Sequence, residues 1–164
     1  EEVQAVRLVF PFHYEEAVEN TPARILFTQH HGTGNNYRQC FYGREMDFRK
    51  YDSIFSLAVA QEKPEVLADM VFSRLTGPCG LTAEHRAIYE AYARNHPRDA
   101  ARYLVSRENL QYFQCMSERG LWSREGLEEA IREAAEKGKA EVLSLLMNEK
   151  HQRFPEKRKK RFEL

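Results

Sequence analysis

Beyond residue 50 the apolar positions recur at helical spacing almost without a break. Ile54, Phe55, Ala58 and Val59 mark one short helix, and Pro64 opens a second with Val66, Leu67, Met70, Val71 and Leu75 on one stripe. Proline suits a first helical turn, where its missing N–H would have found no partner. Gly77-Pro78-Cys79-Gly80 reads as a turn, after which Ile88, Ala91 and Tyr92, then Pro97, Ala100, Ala101, Tyr103 and Leu104, repeat the arrangement. Leu110, Tyr112, Phe113 and Met116 mark another helix ending at Gly120. Ser123 caps the next, which runs through Leu127, Ile131, Ala134 and Ala135 to Gly138, and Val142, Leu143, Leu145 and Leu146 line its partner.

Residues 1–49 follow no such period. Val6-Arg7-Leu8-Val9-Phe10 predicts a short strand or extended arm stopped by Pro11, since proline cannot donate to a ladder. Tyr14 to Glu19 has weak helical character. Thr21-Pro22 is a helix start that would make Ala23 to His31 helical. Gly32-Thr33-Gly34-Asn35-Asn36 ends that element with residues tolerant of positive φ, and Tyr37 to Tyr42 forms a further short helix before Gly43.

A two-helix unit cannot bury both of its apolar faces alone, so neighbouring units must stack and share a core. Pro97 falls 33 residues after Pro64, and placing Glu108 on Glu141 brings Leu110 onto Leu143 and Phe113 onto Leu146 at the same offset. The segment Ala134-Ala135-Glu136-Lys137-Gly138-Lys139-Ala140-Glu141-Val142-Leu143-Ser144-Leu145-Leu146 resembles the core of an ankyrin repeat, with two alanines, a glycine, Glu-Val and paired leucines. The stretches Ala58 to Val71 and Ala91 to Leu104 share its small residues, turn and apolar second helix. The resemblance implies a mainly α fold of stacked antiparallel helix pairs, an ankyrin-like α-solenoid over residues 50–151. A short irregular N-terminal segment, residues 1–49, would pack on the stack, and residues 152–164 form a basic tail.

Composition narrows the function. The 164 residues carry 25 Lys plus Arg against 25 Asp plus Glu, so the whole chain offers no field that would gather nucleic acid or an anionic membrane. No apolar run approaches the roughly 18 residues of a membrane span. Cys40, Cys79 and Cys115 are widely spaced and form no CxxC pair, which disfavours a disulfide framework or a structural zinc and makes a cytoplasmic setting the expectation. The Arg153 to Arg161 segment holds six basic residues and one acid, a local charge run that reads as a solvated terminus or a phosphate-binding tail.

Chemistry-bearing patterns are sparse. His30-His31-Gly32-Thr33-Gly34-Asn35-Asn36 could present backbone amides to a phosphate, yet Tyr37 stands where a dinucleotide fingerprint needs its third glycine, and no Gly-Lys-Ser/Thr is present. No nucleophile elbow appears, and the acidic pairs Glu15-Glu16 and Glu128-Glu129 are adjacent in sequence, which separates their directions on a helix. The sequence therefore predicts a noncatalytic protein–protein interaction module with no cofactor, no metal and an unidentified protein partner. Its candidate contact cluster is Tyr37, Arg38, Phe41, Tyr42 and Arg44, because aromatics and arginine dominate interface hot spots. The alternative is nucleotide or nucleic-acid binding through the Gly32–Asn36 turn or the basic tail.

Overall fold

The computed structural model describes residues 6–11, 14–20, 25–42 and 45–156, and the chain divides into two compact units, Glu1–Tyr92 and Ala93–Leu164. Helix predominates in both. In the first unit the segment Val6–Pro11 carries no regular element. It is followed by β1 (Tyr14–Asn20) and β2 (Ile25–His31), an antiparallel pair in which Tyr14 lies opposite His31 and Val18 opposite Phe27. Both strands replace expected helices. Val18, Ile25, Phe27 and Thr28 are branched or aromatic residues that suit a pleated ladder, and cross-strand pairing overrides the weak helical spacing. The expected helix start at Thr21-Pro22 lies outside the described residues.

The expected helix over Tyr37–Tyr42 also gives way. Gly32 adopts a φ of 81°, α1 (Gly34–Arg38) begins earlier, and Phe41–Tyr42 (β3) pairs with Glu45–Met46 (β4). The Asp47 amide donates to the Cys40 carbonyl at 2.8 Å, and the Asp47 side chain accepts from the Lys50 amide to cap α2 (Phe48–Ser53). Then come α3 (Phe55–Gln61), α4 (Pro64–Thr76) and α5 (Ala83–Asn95), close to the bounds the periodicity predicts.

Helix α4 is the axis of this unit, since every residue from Leu67 to Leu75 is buried. A helix buried on all sides lies inside a core rather than on it. Tyr37, Tyr51, Phe55, Ala58 and Tyr89 are buried in the same unit, with Tyr37 and Tyr51 rings 4.8 Å apart and Phe55 and Tyr89 rings 4.8 Å apart. Three of the enclosed α4 residues, Asp69, Ser73 and Arg74, are polar, and the structure must satisfy them.

The second unit holds α6 (Pro97–Arg107), α7 (Leu110–Glu118), α8 (Arg124–Glu136) and α9 (Ala140–Arg153). Helix α6 packs along α8, and the two run parallel: Arg98 faces Glu125 and Arg102 faces Glu129, each pair 27 residues apart. Buried Ala100 and Ala101 on α6 and Ala130 and Ala134 on α8 allow the close approach. At its start, a Cβ on Gly126 would lie 3.3 Å from the Pro97 Cβ. Ser123 caps α8 through the Gly126 amide at 3.0 Å, as its sequence position predicts. Helix α9 returns along α8, with Lys150 and Glu128 paired at 3.5 Å. On α9, Val142 and Leu146 are buried, Leu143 is half-buried and Leu145 is exposed, so the apolar stripe is narrower than the sequence suggests.

This facing sets an order of costs. Leu146→Ala leaves a cavity in a fully enclosed position and is expected to lose about 2–5 kcal/mol in urea unfolding. Leu143→Asp should cost less than Leu146→Asp, because a carboxylate at a half-buried position can reach water.

Candidate functional site

The polar residues of α4 organise the first unit. Arg74 has no exposed side-chain surface and is gripped by Asp52 of α2, which accepts from Nε at 2.8 Å and from Nη2 at 2.9 Å. The same guanidinium donates to the Gly77 and Cys79 carbonyls at 2.8 Å each, and its flat face lies 4.9 Å from the Phe48 ring centre. Tyr89 of α5 donates its hydroxyl to Asp52 at 2.7 Å. The fork geometry of arginine matches a carboxylate on one side and two carbonyls on the other, so one buried cation ties α2, α4, α5 and the turn at residues 77–80 together. The guanidinium spends four of its five N–H groups on internal acceptors, which ties these elements to one another.

Asp69 and Ser73, which precede Arg74 on α4 and lie on another side of the helix, face the N-terminal segment. Arg7 donates from Nη1 to Asp69 Oδ1 at 2.5 Å and to Ser73 Oγ at 2.6 Å, and from Nη2 to Asp69 Oδ2 at 3.0 Å. Two residues on, the Tyr51 hydroxyl donates to the Val9 carbonyl at 2.6 Å and accepts from the Val9 amide at 3.1 Å. Phe10 then stacks on Phe41 with ring centres 5.3 Å apart and meets Tyr51 edge-on at 5.9 Å. Phe10 is 37% exposed and Phe41 46% exposed, so two stacked aromatic rings stand open to solvent, with exposed Arg38 on the neighbouring α1.

The predicted contact cluster is thus divided. Tyr37 is wholly buried and donates its hydroxyl to the Met70 sulfur at 3.5 Å, which makes it core rather than contact surface. Arg38 and Phe41 are exposed, Tyr42 lies on β3 opposite Glu45, and Arg44 falls outside the described residues. Phe10 joins Phe41 from far upstream, a juxtaposition no local spacing announces. In the sequence, Asp69 and Ser73 fall beside the α4 apolar stripe, where polar residues are ordinary, so no local pattern announces the Arg7 socket.

The glycine-rich turn has an anion of its own. Glu62 at the end of α3 accepts from both the Thr33 amide and the Thr33 hydroxyl at 2.7 Å. A phosphate at this turn would have to displace that carboxylate. His30 and His31 lie on β2 opposite Glu15 and Tyr14. Burial pushes the Cys40 thiol up, with Lys50 acting against that shift, which disfavours the thiolate a nucleophile needs. The tail residues 157–164 lie outside the described residues. In the second unit the carboxylate of Glu129 is buried. Its hydrogen bond to Arg132 holds its pKa below the usual range against the opposing effect of burial, while Oε1 takes no hydrogen bond among the described residues. Among the described residues no group of histidine, cysteine and carboxylate side chains has the arrangement to hold a metal ion, and no helix is long and apolar enough to cross a membrane. Comparison with protein-family models, with curated proteins and with solved structures finds no match.

Two measurements probe this assembly. Asp52→Ala leaves Arg74 buried without its counter-charge and is expected to cost about 3–5 kcal/mol in chemical unfolding. The phenols of Tyr37, Tyr51 and Tyr89 are all pushed up, chiefly by burial. Below the ordinary tyrosine value of about 10 both states keep these protons. Above it the unfolded chain releases them and the folded chain does not, so stability is expected to fall as pH rises past that value. In an alkaline titration the phenolate absorbance of these three residues should appear together with the loss of helical circular dichroism, not before it.

Proposed function

We propose that this protein is a noncatalytic protein–protein interaction module, with its recognition surface at the open aromatic pair Phe10 and Phe41 beside Arg38. The observation that carries this reading is the stacked, solvent-facing pair itself. Stacked rings held 5.3 Å apart by the fold have little side-chain freedom left to lose on binding, and aromatic and arginine anchors are where interface energy concentrates. The neighbouring polar groups support it from the other side. Asp52, Arg74 and Tyr89 are bound to one another, and Thr33 is bound to Glu62, so these groups serve the fold. The ankyrin-like sequence of Ala134 to Leu146, in a repeat class built for stacked recognition surfaces, favours the same class of activity for the second unit. A cytoplasmic setting belongs to the proposal.

Arg38→Ala combined with Phe41→Ala tests it in the intact chain. Both side chains are exposed, so circular dichroism and the unfolding midpoint should stay near the parent's, while capture of the principal protein partner falls by roughly tenfold or more. Removing Lys157 to Arg161 should leave that capture unchanged. Nucleic-acid binding that weakens steeply with salt and disappears with those five residues, with no protein partner affected by the Arg38 and Phe41 changes, would establish the nucleic-acid alternative instead.

A further inference from the structure

The first unit holds a piece of its own chain in the manner of a bound peptide. Val6–Pro11 belongs to no helix or ladder, and it is fixed through three kinds of contact spread over four residues. Asp69 and Ser73 form a charged socket for Arg7, the Tyr51 hydroxyl grips both main-chain groups of Val9, and Phe41 with Tyr51 makes a shelf for Phe10. The grip on Val9 reads backbone and tolerates any side chain. Selectivity comes from the socket, whose paired oxygens match the two-pronged guanidinium, and from the shelf.

The occupant itself contributes little enclosed surface. The Arg7 side chain is 54% exposed, Val6, Leu8 and Val9 are half-buried, Phe10 is exposed, and only Pro11 is buried. The surface beneath it, in contrast, is held by bonds in which the segment takes no part. Tyr51 packs on Tyr37, and α4 is tied to α2 and α5 through Arg74, Asp52 and Tyr89. The socket and shelf therefore persist when the segment lifts away.

We propose that Asp69, Ser73, Tyr51 and Phe41 form a groove that recognises, on a partner protein, a peptide segment with an arginine followed three positions later by an aromatic residue, and that Val6–Pro11 is its exchangeable internal occupant. The proposal rests on the protein-interaction reading above and names the partner's chemistry, with Phe41 as the fixed part of that surface and Phe10 as the ring that the partner's aromatic replaces. A tethered occupant competes at an effective concentration on the order of millimolar, so a partner segment must outbind it, and the groove is self-inhibited until it does.

Hydrogen exchange on the full chain supplies the first test. If the segment lifts without unfolding, the Val9 amide should exchange roughly 100-fold or more faster than the amides of Met70 and Val71 in α4. Equal rates would mean that Val9 opens only with the whole unit and would overturn the proposal. The second test is fluorescence anisotropy with a labelled Val-Arg-Leu-Val-Phe-Pro peptide. The full-length Arg7→Ala/Phe10→Ala variant should bind it at least about tenfold more tightly than the parent, because the internal competitor is weakened. Adding Asp69→Asn should abolish the gain. Equal affinity for parent and variant, or binding that survives Asp69→Asn, would overturn the groove. So would unfolding of the double variant, since the segment would then be structural and not exchangeable. A concentration-dependent dimer in which the groove takes the segment of a second copy would overturn its assignment to a foreign partner. If the peptide fails to bind while Arg38→Ala/Phe41→Ala still loses its partner, the groove is refuted and the broader reading stands.

Discussion

Arg74 occupies a position that ordinarily excludes charge. It sits near the end of a helix buried on every side, and a guanidinium there would unfold the unit unless a carboxylate and several further acceptors met it inside. Asp52 supplies the carboxylate, the carbonyls of Gly77 and Cys79 complete the coordination, and Tyr89 fills a remaining lone pair on Asp52. These groups come from three places in the chain: α2, the turn after α4 and α5. Satisfying one side chain thus ties α2, the turn after α4 and the middle of α5 to one another. A buried pair of this kind adds little stability over a well-packed apolar alternative, but moving either partner away strands a buried charge, so the elements that provide the partners are costly to separate.

The surface of the unit follows from that arrangement. With α4 held by Arg74, Asp69 and Ser73 are presented toward the N-terminal segment, and Tyr51 is placed where its hydroxyl meets the Val9 backbone. Phe10 and Phe41 are brought face to face as a result. Each ring alone would be an ordinary exposed apolar residue. Stacked, they form a solvent-facing apolar element, and the same contacts that position Phe10 define the groove that holds its segment.

The second unit reaches order by other means. Its parallel α6 and α8 approach over alanines and Gly126, and basic residues of α6 line up with acidic residues of α8, so that Arg98 meets Glu125 and Arg102 meets both Glu129 and Glu133. Glu129 is bonded to Arg132 through one carboxylate oxygen, while the other, 3.9 Å from Arg102 Nε, takes no hydrogen bond among the described residues. Backbone geometry closes the connections: Gly120 and Gly138 take positive φ at the ends of α7 and α8, and Glu108 does so after α6, where Lys139 pairs with it at 3.3 Å.

Helical periodicity, caps and prolines were enough to place α3 to α9 from the sequence, because a 3.6-residue apolar stripe, a Ser123 cap or a Pro64 start acts within a few residues of itself. The exposed positions Arg38 and Phe41 were readable for the same reason, as residue types suited to contact. The N-terminal hairpin was not, since Val18 and Phe27 favour strands only once they are paired across the ladder, and local spacing in that region imitates a weak helix. Tyr37 passed for a contact residue because nothing local distinguishes an exposed tyrosine from one enclosed against Met70, which lies 33 residues away. Arg7 with Asp69, Asp52 with Arg74, and Phe10 with Phe41 depend likewise on separations that only the folded chain brings to hydrogen-bond or stacking distance. The sequence alone determined which residues want helices and which could bind. Tertiary structure decided which of them meet, because burying a charge or a ring is favourable only when distant partners arrive at the same place.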